Sequence, residues 1–319
     1  MIVFRGPAEV PEGFGPSVVA IGKFDGVHAG HRVLLERAKV DAAERGAKVV
    51  AVTFDRNPLA VLRPERCPED LVGITQKLRL LADTGIDAVM VLTFDDALAA
   101  LGAREFVSDV LVAPLATCAV LVGNDFRFGR GGEGTPEVLA DLGRTFGFDV
   151  DVVDDVRSIG EGRRVSSTWV RELLAVGDVE TAAKLLGRPS AVWGEVVHGL
   201  KRGRELGFPT ANLSPRLEGF VPADGVYAGW LVDEASGLRS GIRYPAAISV
   251  GTNPTFDDVA HRQVEAYVLD ESALDLYGHD VEVQFVSRVR GMVAFSDIDA
   301  LTRQMSDDVA RVRQVLDAL

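Results

Sequence analysis

The pattern of the chain changes once, near Gly187-Arg188-Pro189, and that change limits the fold more than any other feature. Before it, short Val-rich runs alternate with helical stretches. The apolar runs are Ser17–Ile21, Val49–Phe54, Ala88–Leu92, Ala119–Val122 and Val150–Val153. Runs of that length and composition suit parallel strands buried on both faces. Helical patterns lie between them at Arg32–Arg45, Gln76–Asp83, Arg104–Leu111 and Pro136–Phe146, and two more follow at Thr168–Val176 and Val179–Leu186. The alternation predicts a doubly wound α/β sheet over residues 1–186. Beyond the Gly-Pro stop, strand patterns dominate: Val192–His198, Thr210–Leu213, Val226–Val232, Ala246–Val250, Val264–Leu269 and Val281–Val289. Turns rich in Gly, Pro and Asp separate them. Residues 187–319 are therefore expected to form a small antiparallel β-barrel. A last helix carries Ile298, Leu301, Met305, Val309, Val312, Leu316 and Leu319 on one face, with Asp297 as its start signal. That face is expected to pack on the barrel.

Charge narrows the class of partner. The net charge of −13 is shared almost evenly, −7 over residues 1–186 and −6 over the rest. Neither half is a basic nucleic-acid module, so any phosphate must be bound by local loops. No apolar run approaches the ~18 residues of a membrane span. Residues 1–6 lack the charged-then-apolar pattern of a leader. Two cysteines, Cys67 and Cys118, are too few for a disulfide framework or a cysteine metal site. The expectation is a cytoplasmic protein with no nucleic-acid or membrane partner.

Two stretches carry chemistry. After the strand at Ser17–Ile21 comes Gly22-Lys23-Phe24-Asp25-Gly26-Val27-His28-Ala29-Gly30-His31, then a helix. A glycine-rich turn feeding a helix N-terminus offers backbone amides and a partial positive charge to phosphate. His28 and His31, three apart, can face one ligand and donate hydrogen bonds to phosphoryl oxygens. Gly30 permits close approach to the backbone. This is neither a Walker loop nor a dinucleotide fingerprint. By itself a His-x-x-His pair also fits a metal site or a surface accident. Further on, Ser166, Ser167 and Thr168 open a helix, with Arg171 one turn in; they suit phosphate or an ordinary helix cap.

In the second half, Gly199, Gly203 and Gly207 recur every four residues around Lys201, Arg202 and Arg204, and Pro209-Thr210-Ala211-Asn212 follows. Flexible backbone with cations can enclose polyphosphate; a basic surface hairpin has the same composition. Thr210 and Asn212 point to one face of a strand and offer a hydroxyl and a carboxamide oxygen, ligands suited to Mg²⁺. In Val264–Asp270, Glu265 and Tyr267 share one face and Val264, Ala266 and Val268 the other. Alone, Glu265 also reads as a solvent-facing strand residue.

The first constellation resembles the His-x-Gly-His nucleotidyltransferases, and within them the flavin branch marked by Gly-x-Phe-Asp-Gly-x-His-x-Gly-His. Gly123-Asn124-Asp125-Phe126-Arg127-Phe128-Gly129 and Val165-Ser166-Ser167-Thr168-Trp169-Val170-Arg171 extend the likeness. The second half is similar to the riboflavin kinases through Gly207-Phe208-Pro209-Thr210-Ala211-Asn212, Gly225-Val226-Tyr227-Ala228, residues 249–256, Glu265 and Arg290-Gly291. Together the halves resemble the bifunctional bacterial riboflavin kinase/FMN adenylyltransferase family. The resemblance implies phosphorylation of riboflavin to FMN by the barrel, then adenylyl transfer from ATP to FMN by the first half, giving FAD and pyrophosphate. It implies Glu265 as base, Thr210 and Asn212 on Mg²⁺, and Gly199, Lys201, Gly207 and Pro209 around ATP. For adenylyl transfer it implies His28 and His31 at the α-phosphoryl group, with Gly22, Phe24, Asp25, Gly30, Ser166, Ser167, Thr168 and Arg171 on the nucleotide. Asp125, Phe126 and Arg290 would shape flavin or nucleotide pockets. Three departures from the family pattern stand out: Lys23 for Asn, Asp125 where some members have Asn, and Ala266-Tyr267 for Thr-His. The fold alone also admits a nucleotidyltransferase for another phosphorylated compound, or a flavin-binding protein without turnover.

Overall fold

The computed structural model describes residues 1–158, 162–198, 207–233, 242–252, 262–271, 274–295 and 297–319. By contact the chain divides into two units, one of Met1–Asp70 with Ile74–Ser166 and one of Leu71–Gly73 with Ser167–Leu319.

The first unit is built on six strands, β1 (Ile2–Phe4), β2 (Ser17–Ile21), β3 (Lys48–Phe54), β4 (Ala88–Leu92), β5 (Thr117–Gly123) and β6 (Asp149–Val153). All pair in parallel, in the order β1-β4-β3-β2-β5-β6. Alternate side chains serve opposite faces. Val19, Ile21, Val50, Val52, Met90 and Val120 pack with Phe106, Leu111 and Leu139. Val18, Ala20, Val49, Ala51, Val89 and Leu121 pack with Leu34, Leu35, Ala38 and Leu81. Both faces are covered, which is why these strands read as unbroken apolar runs. Successive connections from β2 lead through β3 to β4 on one side, then back to β5 on the other. The sheet thus reverses direction between β2 and β5, and the crevice at their C-terminal ends is where ligands bind in such sheets.

Three local expectations need correcting. β1 is an edge strand of three residues, too short to give a period, and sequence reasoning missed it. The helix expected at Arg104–Leu111 breaks into Ala103–Phe106, a π-helical turn at Val107–Val112 and a short turn ending at Leu115. Val107, Val110 and Leu111 are buried there, and the wider turn lets all three reach the core. The helix expected from Arg32 begins at Ala29 and runs to Arg45, which draws His31 into its first turn.

The second unit opens with helices Ser167–Val176 and Val179–Leu186 and continues into β7 (Ser190–Val197), β8 (Thr210–Leu213), β9 (Gly225–Asp233), β10 (Ile242–Thr252), β11 (Arg262–Val268) and β12 (Asp280–Arg290). These six form a closed antiparallel barrel in the order β10-β11-β8-β7-β12-β9, so no strand edge is left open. The two helices belong to the barrel through polar contacts as well as apolar ones. Glu180 accepts from Ser287 Oγ at 2.6 Å and from Arg288 N at 3.1 Å, and Arg288 Nη1 donates to Val176 O at 2.9 Å.

Register shifts in β12 around Val286 and Val289 bend the strand. Both residues pack against a cluster of Ala228 and Leu269 with Val312 and Leu316 of the terminal helix Ile298–Asp317. Asp297 caps that helix, accepting from Ala300 N at 2.7 Å. The middle of the expected apolar stripe is covered, whereas Ile298 and Leu319 at its ends stay exposed. The docking also has a polar anchor. Asp308, on the same helix, is buried and grips Arg290 through Nε at 2.9 Å and Nη2 at 2.6 Å, while Gln304 donates to it at 2.9 Å. Removing one member of a buried ion pair leaves the other uncompensated. Asp308→Ala is expected to destabilise the second unit by about 3 kcal/mol or more, read by urea unfolding. A loss below about 1 kcal/mol would mark the pair as a surface-type contact.

Candidate active sites

The first site grows from the end of β2. Gly22 N donates to Val52 O at 3.1 Å and Thr53 Oγ1 to Lys23 O at 3.1 Å, tying the emerging chain to β3. The turn then takes conformations that most side chains avoid: Phe24 has φ 48°, Val27 has φ 40° and Gly26 has φ 80°. Phe24 and Val27 are fully buried in the core under the helix, so packing holds the strained turn in place. The turn delivers His28 to the N-cap of helix Ala29–Arg45. The His28 and His31 rings stack with centroids 3.8 Å apart and planes inclined by 17°, and Phe24 meets His31 edge-on at 5.2 Å. A Cβ on Gly30 would lie 3.1 Å from His28 Cε1, so any larger residue there would press on the His28 ring. His28 and Asp25 are buried.

Charge around the stack suits an anion. His31 has its pKa held well below the ordinary histidine value by burial first, then by His28 and by the positive charges of Lys77, Lys23 and Arg164. His31 Nδ1 is shielded and has no hydrogen-bond partner among the described residues. A polyphosphate would supply both a partner and the opposing charge.

At the end of β5, across the reversal point, Asp125 is exposed and pairs with Arg164 at 3.0 Å, which also binds Asp155 at 3.0 Å. Phe126 stacks on Phe128 at 5.4 Å. Val165 places its carbonyl 3.8 Å from where a Gly30 Cβ would stand, so Ser166 follows a residue that abuts the helix start. Ser167 is the first residue of its helix; Ser166, Ser167 and Arg171 are half-buried and Thr168 is exposed.

The second site lies on the outer face of the barrel. In β11, Val264, Ala266 and Val268 are buried, and Glu265 and Tyr267 occupy the opposite face, half-buried. The register sets Glu265 directly across from Asn212 of β8 and from Ser249 of β10, and Tyr267 across from Thr210. Thr210 Oγ1 donates to Glu265 Oε2 at 3.3 Å. Asn212 Nδ2 donates to Thr210 O at 3.1 Å and to Oγ1 at 3.2 Å, and Gln263 Nε2 to Asn212 Oδ1 at 3.4 Å. Burial raises the Glu265 pKa, and the Thr210 hydrogen bond opposes the rise. Phe208 meets the Tyr267 ring edge-on at 5.3 Å beside this cluster. Gly207, at φ 84°, and Pro209 lead into β8. Gly199 and Lys201 lie outside the described residues. Arg290 is committed to Asp308 in the structure.

The structure brings His28 together with His31, and Thr210 together with Asn212 and Glu265, as the sequence spacing anticipates, and it adds Lys77, which sequence reasoning passed over. In helix Ile74–Ala82 the apolar stripe is Ile74, Leu78 and Leu81, and Lys77 sits within it, buried. A lysine inside an apolar stripe was the available signal.

The first unit thus presents two imidazoles from a strained turn at a helix N-terminus, beside the reversal point of a parallel sheet. The barrel gathers a hydroxyl, an amide and a carboxylate on one face. The FAD synthetase family model matches residues 11–169, and the riboflavin kinase model matches residues 186–316. The bifunctional riboflavin kinase/FMN adenylyltransferase of Escherichia coli K12 is 39% identical over 93% of this chain and 92% of its own length. That of Pseudomonas fluorescens is 36% identical over 93% and 92%. A crystal structure from Streptococcus pneumoniae, described as a macrolide-efflux protein, superposes with a TM-score of 0.85 at 32% identity, covering 98% of both chains. Among the described residues no helix is long and apolar enough to cross a membrane. The chain belongs to the bifunctional riboflavin kinase/FMN adenylyltransferase family.

Proposed function

We propose that the two sites run in series on flavin. The barrel transfers the γ-phosphoryl group of ATP to the 5′-hydroxyl of riboflavin, and the first unit transfers AMP from a second ATP to the resulting FMN. The observation that carries the reading is the Thr210–Asn212–Glu265 cluster, assembled from two paired strands with its carboxylate within hydrogen-bond reach of a hydroxyl.

In the kinase step Glu265 accepts the proton of the attacking hydroxyl. Its raised pKa makes it a stronger base than an exposed carboxylate, and Thr210 orients it. The donors here are hard oxygens, which suit Mg²⁺: Thr210 Oγ1 and, with its amide turned over, Asn212 Oδ1. When bound, Mg²⁺ would neutralise charge on the ATP phosphates. Gly207 and Pro209, with Gly199 and Lys201, border the ATP site. Arg290 serves the flavin side, its guanidinium fixed by Asp308.

In the adenylyl step a phosphate oxygen of FMN attacks the α-phosphorus of ATP. A new P–O bond forms, the bond to the bridging oxygen breaks, and pyrophosphate leaves. His28 and His31 donate hydrogen bonds as charge builds on the α-phosphoryl oxygens. Gly22, Phe24, Asp25 and Gly30 shape the turn beneath the nucleotide, and Ser166, Ser167, Thr168 and Arg171 contact phosphates. Asp125 and Phe126 border the flavin or nucleotide pocket. Along the sequence, residues 1–186 span the adenylyl-transfer half and 187–319 the kinase half, although by contact helices Ser167–Val176 and Val179–Leu186 go with the barrel; the setting is reducing and cytoplasmic.

A division of labour is testable by fragment. Helices Ser167–Val176 and Val179–Leu186 group with the barrel, so a fragment of Ser167–Leu319 is the one to express. It is expected to fold by circular dichroism and to convert riboflavin to FMN without making FAD. A folded fragment without kinase turnover would show that the barrel borrows residues from the first unit.

A further inference from the structure

We propose that Lys77 is a further phosphate-binding residue of the adenylyl-transfer site, its ammonium held beside the His28–His31 turn to meet the polyphosphate of ATP. This rests on the adenylyltransferase reading of the first unit.

The placement comes from three connections. Lys77 is carried on helix Ile74–Ala82 and its Nζ donates to Phe54 O, the last residue of β3, at 3.2 Å. β3 pairs with β2 in parallel, Ile21 beside Val52, so Phe54 lies level with the turn that leaves β2. Thr53, the preceding residue, holds Lys23 O of that turn. The Lys77 ammonium is thus at the C-terminal end of β3, beside the end of β2 from which the histidine turn leaves, and its charge is felt by His31 and Asp25.

Its environment is incomplete for a structural lysine. The residue is 7% exposed. An ammonium has three N–H donors, and among the described residues Lys77 uses one, on a carbonyl, with no ion pair within 4 Å. Buried polar groups are normally satisfied, and a buried charge is normally paired. Burial lowers the proton affinity of Lys77, and Asp25, Asp70 and Asp55 partly restore it from a distance. A polyphosphate in the crevice would complete both the hydrogen bonding and the charge. Holding one carbonyl would need only a neutral donor.

The test uses the full chain. Lys77→Met keeps length and apolar bulk and removes the charge. It is expected to lower kcat/KM for FMN-to-FAD conversion by ~10²-fold, the scale of a lost transition-state donor, while riboflavin-to-FMN conversion by the same preparation stays within about twofold. If the wild type makes FAD and Lys77→Met makes it equally well, this proposal is overturned and the parent reading stands. If the wild type makes no FAD, the parent reading falls and the proposal with it. Because Lys77→Met bears on folding of the first unit, a second measurement uses unmodified protein. The ¹⁵Nζ signal of Lys77, assigned with Lys77→Arg, is expected to shift on addition of pyrophosphate with Mg²⁺. An unmoved signal at saturating pyrophosphate would make Lys77 a fold anchor and overturn the proposal.

Discussion

Glu265→Gln is expected to lower the rate of riboflavin phosphorylation by ~10²-fold or more, the range over which a positioned general base acts. The substitution keeps the size of the side chain and its hydrogen bond with Thr210, and it removes only the ability to take the hydroxyl proton. Riboflavin and ATP binding should be unchanged, as should FMN-to-FAD conversion. Single-turnover kinetics isolates the chemical step. A rate within about threefold of the wild type would return Glu265 to the status of an ordinary strand residue, since a lost base should cost far more. The Ala266-Tyr267 departure from the family pattern does not weaken the expectation. Ala266 faces the barrel interior, fully buried, and Tyr267 lies across from Thr210 against Phe208. The carboxylate accepts a hydrogen bond from Thr210, on the neighbouring strand.

His28→Ala and His31→Ala are each expected to slow FAD formation from FMN by ~10²-fold or more, while FMN formation continues. The rings stack at 3.8 Å, so removing either releases the other from its position. The double variant should therefore lose less than the product of the two single losses. The measurement is the rate of FAD appearance from FMN and ATP in each variant. Near-normal FAD synthesis in the double variant would remove the histidines from the chemistry.

Much of this was legible in the sequence because the informative patterns are local. Pro136–Phe146 and Val179–Leu186 matched to the residue, each bounded by a polar cap and a left-handed glycine. The paired positions of Thr210 and Asn212 followed from strand periodicity alone. What stayed hidden depends on contacts far apart in the chain. The cap position of His28 depends on the strained turn at Phe24 and Val27, which only core packing supports. Glu265 facing Asn212 is a matter of register between β8 and β11, strands far apart in the sequence. Nothing local in the sequence singles out Asp308 on the terminal helix; its pairing with Arg290 appears only once that helix lies against β12. Lys77 gave a signal, a charge within an apolar stripe, whose meaning appears only once β3 lies beside β2.

The central claim is two transfers in series on one chain. It is tested most directly by incubating the wild-type protein with riboflavin, ATP and Mg²⁺ and resolving the flavins by chromatography over time. FMN should appear first and then give way to FAD, with ADP and pyrophosphate as the coproducts. Riboflavin recovered unchanged, or FMN accumulating without FAD when ATP is in excess, would contradict the account.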